Sequence, residues 1–395
     1  MRCTLFLLAS LAFSLSIAPA QAESRAPKEW TFLIFLNGNN NLDPYGAFNI
    51  NQMEKVGSTD RINVVVQWAS LKTRTVKRLL VKKDNDTNKV TSPVIQDMGR
   101  VDMGDWRQLV EFVRWGRENF PAQKYFVDIW NHGSGWHGKK AGIRSGVSTM
   151  DISYDDLSGN HMTTQQMGMA LNESAKILGQ KIDLYGSDAC LMAMVEIADE
   201  VKDGVSVFAG SEELEPGEGW PYDALLARWN KLPDASPQAV AKTLSEEYAK
   251  YYEKTRNNVT FSAFDLQMLP RLNASIRKFG ESLKSLGATG LRQVQQAAAK
   301  SQKFTNSDYV DFIDFLNHLK AAQVDSLNTS IMNEVAAATQ AVIIANNTVR
   351  YPKAHGMAIW LPSTSYEYSR YADLYSRLSF DRETRWGEFL KAMAK

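Results

Sequence analysis

The sequence predicts an α/β fold, a mostly parallel central sheet with helices on both faces, followed by a packed C-terminal helical and β region. Two observations carry this expectation. Short, mainly apolar runs at 30–36, 62–68, 124–130 and 182–186 have the length of strands buried on both faces. Between them lie segments with helical spacing of apolar residues, an alternation that builds parallel sheets. The chain is also long enough for a large core, with 395 residues, 44% of them apolar and 10% aromatic.

The first 22 residues read as a secretory signal. Arg2 gives a basic start, 5–17 is apolar, and Ala20-Gln21-Ala22 is a small-x-small cleavage site. Cleavage after Ala22 is expected, giving an exported chain, periplasmic or extracellular. The apolar run is too short for a comfortable membrane span. Loss of one base and no acid takes the formal charge from +1 to 0. A nucleic-acid binder would show a basic excess, so that class of partner is not expected.

Residues 23–266 carry the alternating pattern. The first strand ends in the turn-rich cluster Asn37-Gly38-Asn39-Asn40-Asn41, and 75–82 reads as an edge strand. The segment 105–119 has apolar residues at helical spacing, with Asp105 at its start and Pro121 beyond its end. The run 124–130 leads into Asn131-His132-Gly133, and 137–162 is expected to be an exposed loop. Thr163 and Gln166 form a capping box for a helix to about 178. The strand 182–186 leads into Ser187-Asp188-Ala189-Cys190, with a helix expected over 191–201. Residues 212–222 form an acidic loop. From 267 to 395 the pattern turns mainly helical, with helices near 271–286, 291–304, 309–319 and 330–340 and strands at 341–345 and 357–361. No internal repeat or low-complexity linker interrupts it.

Cys190 is the single cysteine left once Cys3 departs with the signal. An unpaired thiol is unusual in an exported chain, which implies either an inert buried side chain or a retained nucleophile. A thiol nucleophile needs a base, and its developing oxyanion needs N–H donors. Cys190 and His132 both fall just past a strand end, where α/β folds place their ligands. A helix N-terminus after Cys190 would favour the thiolate, and Gly133 would let a peptide N–H approach a carbonyl closely. His-Glu-x-x-His, Gly-x-Ser-x-Gly and phosphate-loop motifs are missing from the sequence, which argues against zinc peptidases, serine hydrolases and nucleotide enzymes.

Two boxes, Trp130-Asn131-His132-Gly133-Ser134-Gly135-Trp136 and Asp188-Ala189-Cys190-Leu191-Met192-Ala193-Met194-Val195-Glu196, resemble those of the clostripain-type C11 peptidases of the caspase-like clan. Asn39-Asn40-Asn41-Leu42-Asp43, Tyr154-Asp155-Asp156 and Pro216-Gly217-Glu218-Gly219-Trp220 support the resemblance, which runs from about 30 to near the C-terminus. It implies a caspase-like α/β/α sandwich and a cysteine endopeptidase with a Cys190–His132 dyad. Gly133 and Cys190 would supply backbone N–H groups to the oxyanion. Cleavage after Arg or Lys would require an anionic S1 pocket. Asp188 matches the family position for that anion, with Glu218 as second candidate. Glu212, Glu213 and Glu215 are expected to be exposed charges.

The resemblance also implies a zymogen cleaved by itself between His132 and Cys190, with Arg144 favoured over Lys140 and Lys139. No cofactor is expected for the chemistry. Calcium is a further expectation, because some relatives depend on it and Asp151, Asp155 and Asp156 offer oxygen ligands, although without EF-hand spacing. Two alternatives stand beside the endopeptidase that takes protein or peptide substrates with Arg or Lys at P1. One is a catalytically silent binder of basic peptides on the same scaffold. The other is a cysteine peptidase with another P1 preference, such as Asn or Asp.

Overall fold

The computed structural model describes residues 26–137, 152–324 and 327–394. In chain order its strands are β1 (Lys28–Gly38), β2 (Ile62–Ser70), β3 (Thr75–Leu80), β4 (Val94–Gly99), β5 (Ala122–Trp130), β6 (Ile152–Asp155), β7 (Asn160–Met162), β8 (Ile182–Asp188), β9 (Val205–Gly210), β10 (Val259–Asp265), β11 (Tyr309–Asp311), β12 (Ile343–Val349) and β13 (Ala358–Trp360). Nine of them form one sheet in the order β12-β10-β9-β8-β5-β1-β2-β3-β4. The five central strands, β9 to β2, are parallel, while the outer two on each side run antiparallel. The expected α/β fold with a mostly parallel sheet is the observed one.

Both faces of the sheet are covered, and the strand period of two explains why the central strands read as mainly apolar runs without polar alternation. In β1, Leu33 and Phe35 point into one core, with Val65, Val127 and Ile129 of neighbouring strands. Phe32, Ile34 and Leu36 point into the other, with Val64, Val66 and Phe126. Helices Trp106–Asn119 and Thr164–Leu178 cover the first face. Helices Asp43–Glu54, Tyr222–Trp229 and Pro237–Tyr252 cover the second. The first core continues into the C-terminal helices through Phe279, Phe315, Trp386 and Leu390. The late strand β12 pairs with β10, so the C-terminal region also extends the sheet.

Local signals explain most boundaries. Asp105 caps Trp106–Asn119 by accepting from the Arg107 N–H. The capping box of Thr163 and Gln166 is present, and Gly179, at φ +76°, closes that helix in the left-handed conformation. Elsewhere tertiary contacts redraw the reading. β3 is not the edge, because β4 pairs along its outer side. Part of the expected 137–162 loop is structured, since β6 and β7 pair and Ile152, Ser153, Asp155 and Met162 are buried. The helix expected at 191–201 begins only at Val195. Residues 191–194 instead form a turn and an isolated bridge, with Leu191 left-handed at φ +66°. The Leu191 and Ala193 N–H groups donate to the Glu213 and Ser211 carbonyls, and Met194 bridges to Ala358. The turn cluster after β1 runs straight into helix Asp43–Glu54, and 309–311 is strand before a helix at Phe312–Ala322. Helix Thr329–Val342 extends through the first residues of the strand expected at 341–345, and β12 follows it.

Candidate active site

The site is built where β5 and β8 end side by side. They pair in parallel register up to Trp130 and Asp188, and the next N–H, on Asn131, donates to the Asp188 carbonyl. His132 and Cys190 each follow two residues beyond that last pair, so the register brings the two boxes together. A Cβ on Gly133 would lie 2.5 Å from the Cys190 oxygen and 3.1 Å from its nitrogen. The Gly133 and Cys190 peptides therefore touch, and only glycine permits that approach.

His132 is oriented from the turn after β1. Its Nε2 lies 2.6 Å from Asn41 Oδ1. Because that oxygen only accepts, Nε2 carries the proton and Nδ1 the free lone pair. Burial pushes the imidazole below its usual pKa, opposed in part by the nearby Asp156 carboxylate. The ring is therefore neutral at pH 7 and competent as a base. The turn is itself held by buried amides. Asn131 Nδ2 donates to the Asn37 carbonyl at 2.7 Å, and Asn40 Nδ2 to the Tyr154 carbonyl at 2.9 Å.

Cys190 is not at a helix N-terminus, contrary to the expectation from sequence, because helix Val195–Val201 starts five residues later. Its Sγ instead accepts from the Glu215 N–H at 3.3 Å. Burial pushes the thiol up to about 11, assisted by Glu213 and Asp188 and opposed by the Glu215 N–H. At pH 7 the resting side chain is therefore the protonated thiol. Its alkylation by iodoacetamide is expected to be slow at pH 7 and to accelerate up to about pH 11, followed by mass spectrometry. Fast labelling with an inflection below pH 8 would contradict this electrostatic reading.

Asp188, at the end of β8, is buried and joins a carboxyl cluster. Its Oδ2 accepts from Tyr222 Oη at 2.7 Å and from the Trp220 N–H at 3.3 Å. Asp128, buried on β5, accepts from the same Tyr222 hydroxyl at 2.9 Å and from the Asp188 N–H at 3.3 Å. Asp128 thus faces Asp188. Glu215 lies against Asp188 and accepts from Trp220 Nε1 at 3.1 Å. Burial raises all three carboxyls, Asp188 to about 6, and mutual repulsion adds for Asp128 and Glu215. Among the described residues no Lys or Arg acts on any of them. The cluster is charged chemistry with no cation.

The turn 216–220 closes over this cluster. Gly219, at φ +63°, lies so close that a Cβ there would come within 2.9 Å of Asp188 Oδ2. Tyr252 Oη donates to the Gly219 carbonyl at 2.7 Å, and Asn49 Nδ2 to the Glu218 carbonyl at 2.8 Å. Glu218, half-buried, sits in the turn that covers Asp188.

The remaining glutamates are not exposed charges as expected. Glu212 and Glu213 are 1% and 5% exposed. Glu213 is occupied by the Leu214 and Thr305 N–H groups and by Tyr351 Oη. Glu212, its pKa raised by burial, accepts from the Gly356 N–H beside the Asp311 carboxyl, which raises it further. Glu215 is the site residue that sequence reasoning missed. Nothing in the string Glu212-Glu213-Leu214-Glu215 distinguishes it; the pairing of Leu191 with Glu213 decides which acid faces Cys190.

Lys139, Lys140, Arg144 and Asp151 lie outside the described residues. The flanking His137 is buried and stacks on Tyr371 with ring centroids 4.0 Å apart, and Ile152 pairs with Gly133. Asp155 does not fit a calcium ligand. Its Oδ1 accepts from the Leu157 and Ser158 N–H groups and its Oδ2 from Asn39 Nδ2 and the Met103 N–H. Four donors leave no lone pair facing a cation. Among the described residues no group of three or more His, Cys, Asp or Glu is arranged to hold a metal, and no helix is long and apolar enough to cross a membrane.

A profile of the Clostripain family, peptidase C11, matches residues 34–392. The chain belongs to this family. Clostripain of Hathewaya histolytica is 28% identical over 131 residues, which is 32% of this chain and 24% of clostripain. The chain is thus aligned to about a quarter of that curated relative. Among solved structures, a secreted C11 cysteine protease of Bacteroides thetaiotaomicron, bound to an irreversible peptide inhibitor, superposes with a TM-score of 0.67. It is 19% identical and covers 91% of this chain and 99% of its own. An inactive zymogen C11 protease of Parabacteroides distasonis superposes at 0.68, is 16% identical and has the same coverage. At these identities the two structures show the shared fold, and the profile shows the membership. The resemblance read from the His132 and Cys190 boxes therefore named the family this chain is in.

Proposed function

We propose that the chain is an exported cysteine endopeptidase that cleaves protein or peptide substrates after Arg or Lys. The observation that carries the specificity is the cluster of the buried Asp128 and Asp188 with the partly buried Glu215, beside the Cys190 thiol and without a cation among the described residues. A substrate guanidinium or ammonium supplies the missing charge, and burial makes that pairing strong. Asp188 is the principal anion, with Glu215 and Glu218 contributing from the covering loop.

In the reaction, His132 Nδ1 takes the thiol proton as Cys190 Sγ bonds to the scissile carbonyl carbon. The Gly133 and Cys190 N–H groups receive the negative oxygen of the tetrahedral intermediate. The C–N bond breaks as Nδ1–H protonates the leaving amine, leaving a thioester on Cys190. Water then attacks the thioester, giving its proton to His132, and the thiol is regenerated. This chemistry needs no cofactor from the chain's own residues.

The membership also supports self-processing between His132 and Cys190, with Arg144, Lys140 and Lys139 as candidate positions. The buried, protonated thiol under Glu215 suits a resting precursor. The signal-like N-terminus and the secreted relative support export.

A peptidyl-arginine acyloxymethyl ketone tests the reading. It is expected to form a covalent adduct mapped to Cys190 by peptide mass spectrometry, while the matching aspartyl and asparaginyl compounds react far more slowly. No adduct at Cys190 with any of the three would favour the silent peptide binder. Preferential labelling by a non-basic compound would overturn the Arg/Lys assignment.

A further inference from the structure

A second recognition site lies on the same edge of the sheet. In the strand order β8-β5-β1-β2-β3-β4, Cys190 follows β8 and His132 follows β5. Asn39 follows β1, Arg74 lies in the β2–β3 turn, and Arg100 follows β4. Asn39, Arg74, Arg100, Asp102, Asp155 and Ser158 line a cavity of about 190 Å³ there. It adjoins the catalytic side chains. Asn41, two residues after Asn39, holds His132, and Asp156, next to Asp155, acts on the His132 ring.

The polar groups of this cavity are unequally occupied. Asp102 accepts from the Gly104 N–H and Ser158 Oγ with Oδ1, and from Asn160 Nδ2 with Oδ2. Asp155 is saturated by its four N–H donors. Arg74 and Arg100 are exposed and form no ion pair or side-chain hydrogen bond among the described residues. The cavity therefore offers two free guanidinium forks and carboxylates with little acceptor capacity left. That set of groups selects an anion, and guanidinium geometry suits a carboxylate.

We infer that Arg74 and Arg100 bind a carboxylate of the substrate on the leaving-group side of the scissile bond. This rests on the endopeptidase reading, in which His132 protonates the leaving amine. The chain after the scissile bond then passes His132 toward β1 and β2, away from the Asp188 cluster. Strands are about 4.8 Å apart, so the β2–β3 turn that carries Arg74 lies roughly 10–15 Å beyond β5. An extended peptide covers about 3.3 Å per residue. The carboxylate thus belongs to about the third to fifth residue after the cleaved bond.

The test uses C-terminally amidated peptides with one Arg at the cleaved position and a single Glu or Ser scanned over the six residues that follow. For the unaltered protein, kcat/KM is expected to favour Glu over Ser by about three- to tenfold at the third to fifth residue, the range of two partly solvated ion pairs. The preference should fall with added salt. In the R74Q/R100Q variant the same ratio is expected to drop to about 1, and because the ratio is taken within each protein, a loss of folded enzyme cancels. A second series ending at the same positions as free acid or amide distinguishes a terminal carboxylate from a side-chain one. No Glu preference at any position together with no free-acid preference, or a preference that survives R74Q/R100Q, overturns the inference. If no peptide is cleaved, the endopeptidase reading has failed instead. Fluorescence anisotropy of labelled Glu and Ser peptides on Cys190→Ala protein then decides the site by itself, and equal affinities overturn it.

Discussion

Replacing Cys190 by alanine is expected to lower kcat/KM on Arg-P1 peptides by at least about 10⁴-fold, and His132→Ala by a similar factor, because nucleophile and base act as one unit. The fold should survive. Cys190 contributes two weak sulfur contacts, accepting from the Glu215 N–H and donating to the Glu215 carbonyl, and His132 one ring contact, to Asn41. Thermal midpoints are therefore expected within about 3 °C of the unaltered protein. Intact-mass analysis adds an independent reading, with a two-chain product expected from the unaltered protein and a single chain from Cys190→Ala. Activity retained in both variants would remove the dyad mechanism. A two-chain product from Cys190→Ala would assign the processing to another peptidase.

Asp188→Asn separates specificity from stability. Asparagine keeps an oxygen for Tyr222 Oη and the Trp220 N–H, yet it removes the charge that would pair with a basic P1 side chain. Arg-P1 kcat/KM is expected to fall about 100-fold or more, the scale of leaving a buried charge unpaired. Stability should hold or rise, because the substitution relieves repulsion on Asp128 and Glu215.

The pH dependence follows from the sign of the shift. Burial raises Asp188 from an ordinary 3.8 to about 6, so between those values the native state binds more protons than the unfolded one. Its contribution to stability therefore declines as pH rises from about 4 through about 6. Activity runs the other way, since the ionised carboxylate pairs with the substrate cation, and kcat/KM should climb through about pH 6. Asp188→Asn is expected to lose both trends. Unchanged Arg-P1 turnover, or an equal loss on non-basic substrates, would remove Asp188 from the S1 assignment.

Much of the site was legible because its residues stand next to their strands in the chain. The strands before His132 and Cys190 end two residues short of each, and parallel pairing of adjacent strands in register does the rest. Asp188 precedes Cys190 by two residues and inherits its place from the same strand. The capping box at Thr163 was equally readable, because a helix start is a local arrangement of side chain and backbone.

What local pattern could not supply was the partner of each loop. The segment 191–194 has the composition of a helix, but pairing with Ser211 and Glu213 holds it out of the helix, with Leu191 left-handed, and moves the helix start away from the thiol. That pairing turns Glu215 toward Cys190 and buries Glu212 and Glu213. The hydrogen bond from His132 to Asn41 spans 91 residues, and the one joining Tyr222 to Asp128 spans 94. The sequence by itself determined the fold class, the family and the two candidate side chains brought together at the strand ends, because these depend on apolar period and on motifs adjacent to strand ends. The tertiary structure alone decided the protonated thiol, the tautomer of His132 and the membership of the carboxyl cluster. Those properties depend on which distant groups exclude water from a side chain and which donors reach it, and neither is encoded by its neighbours along the chain.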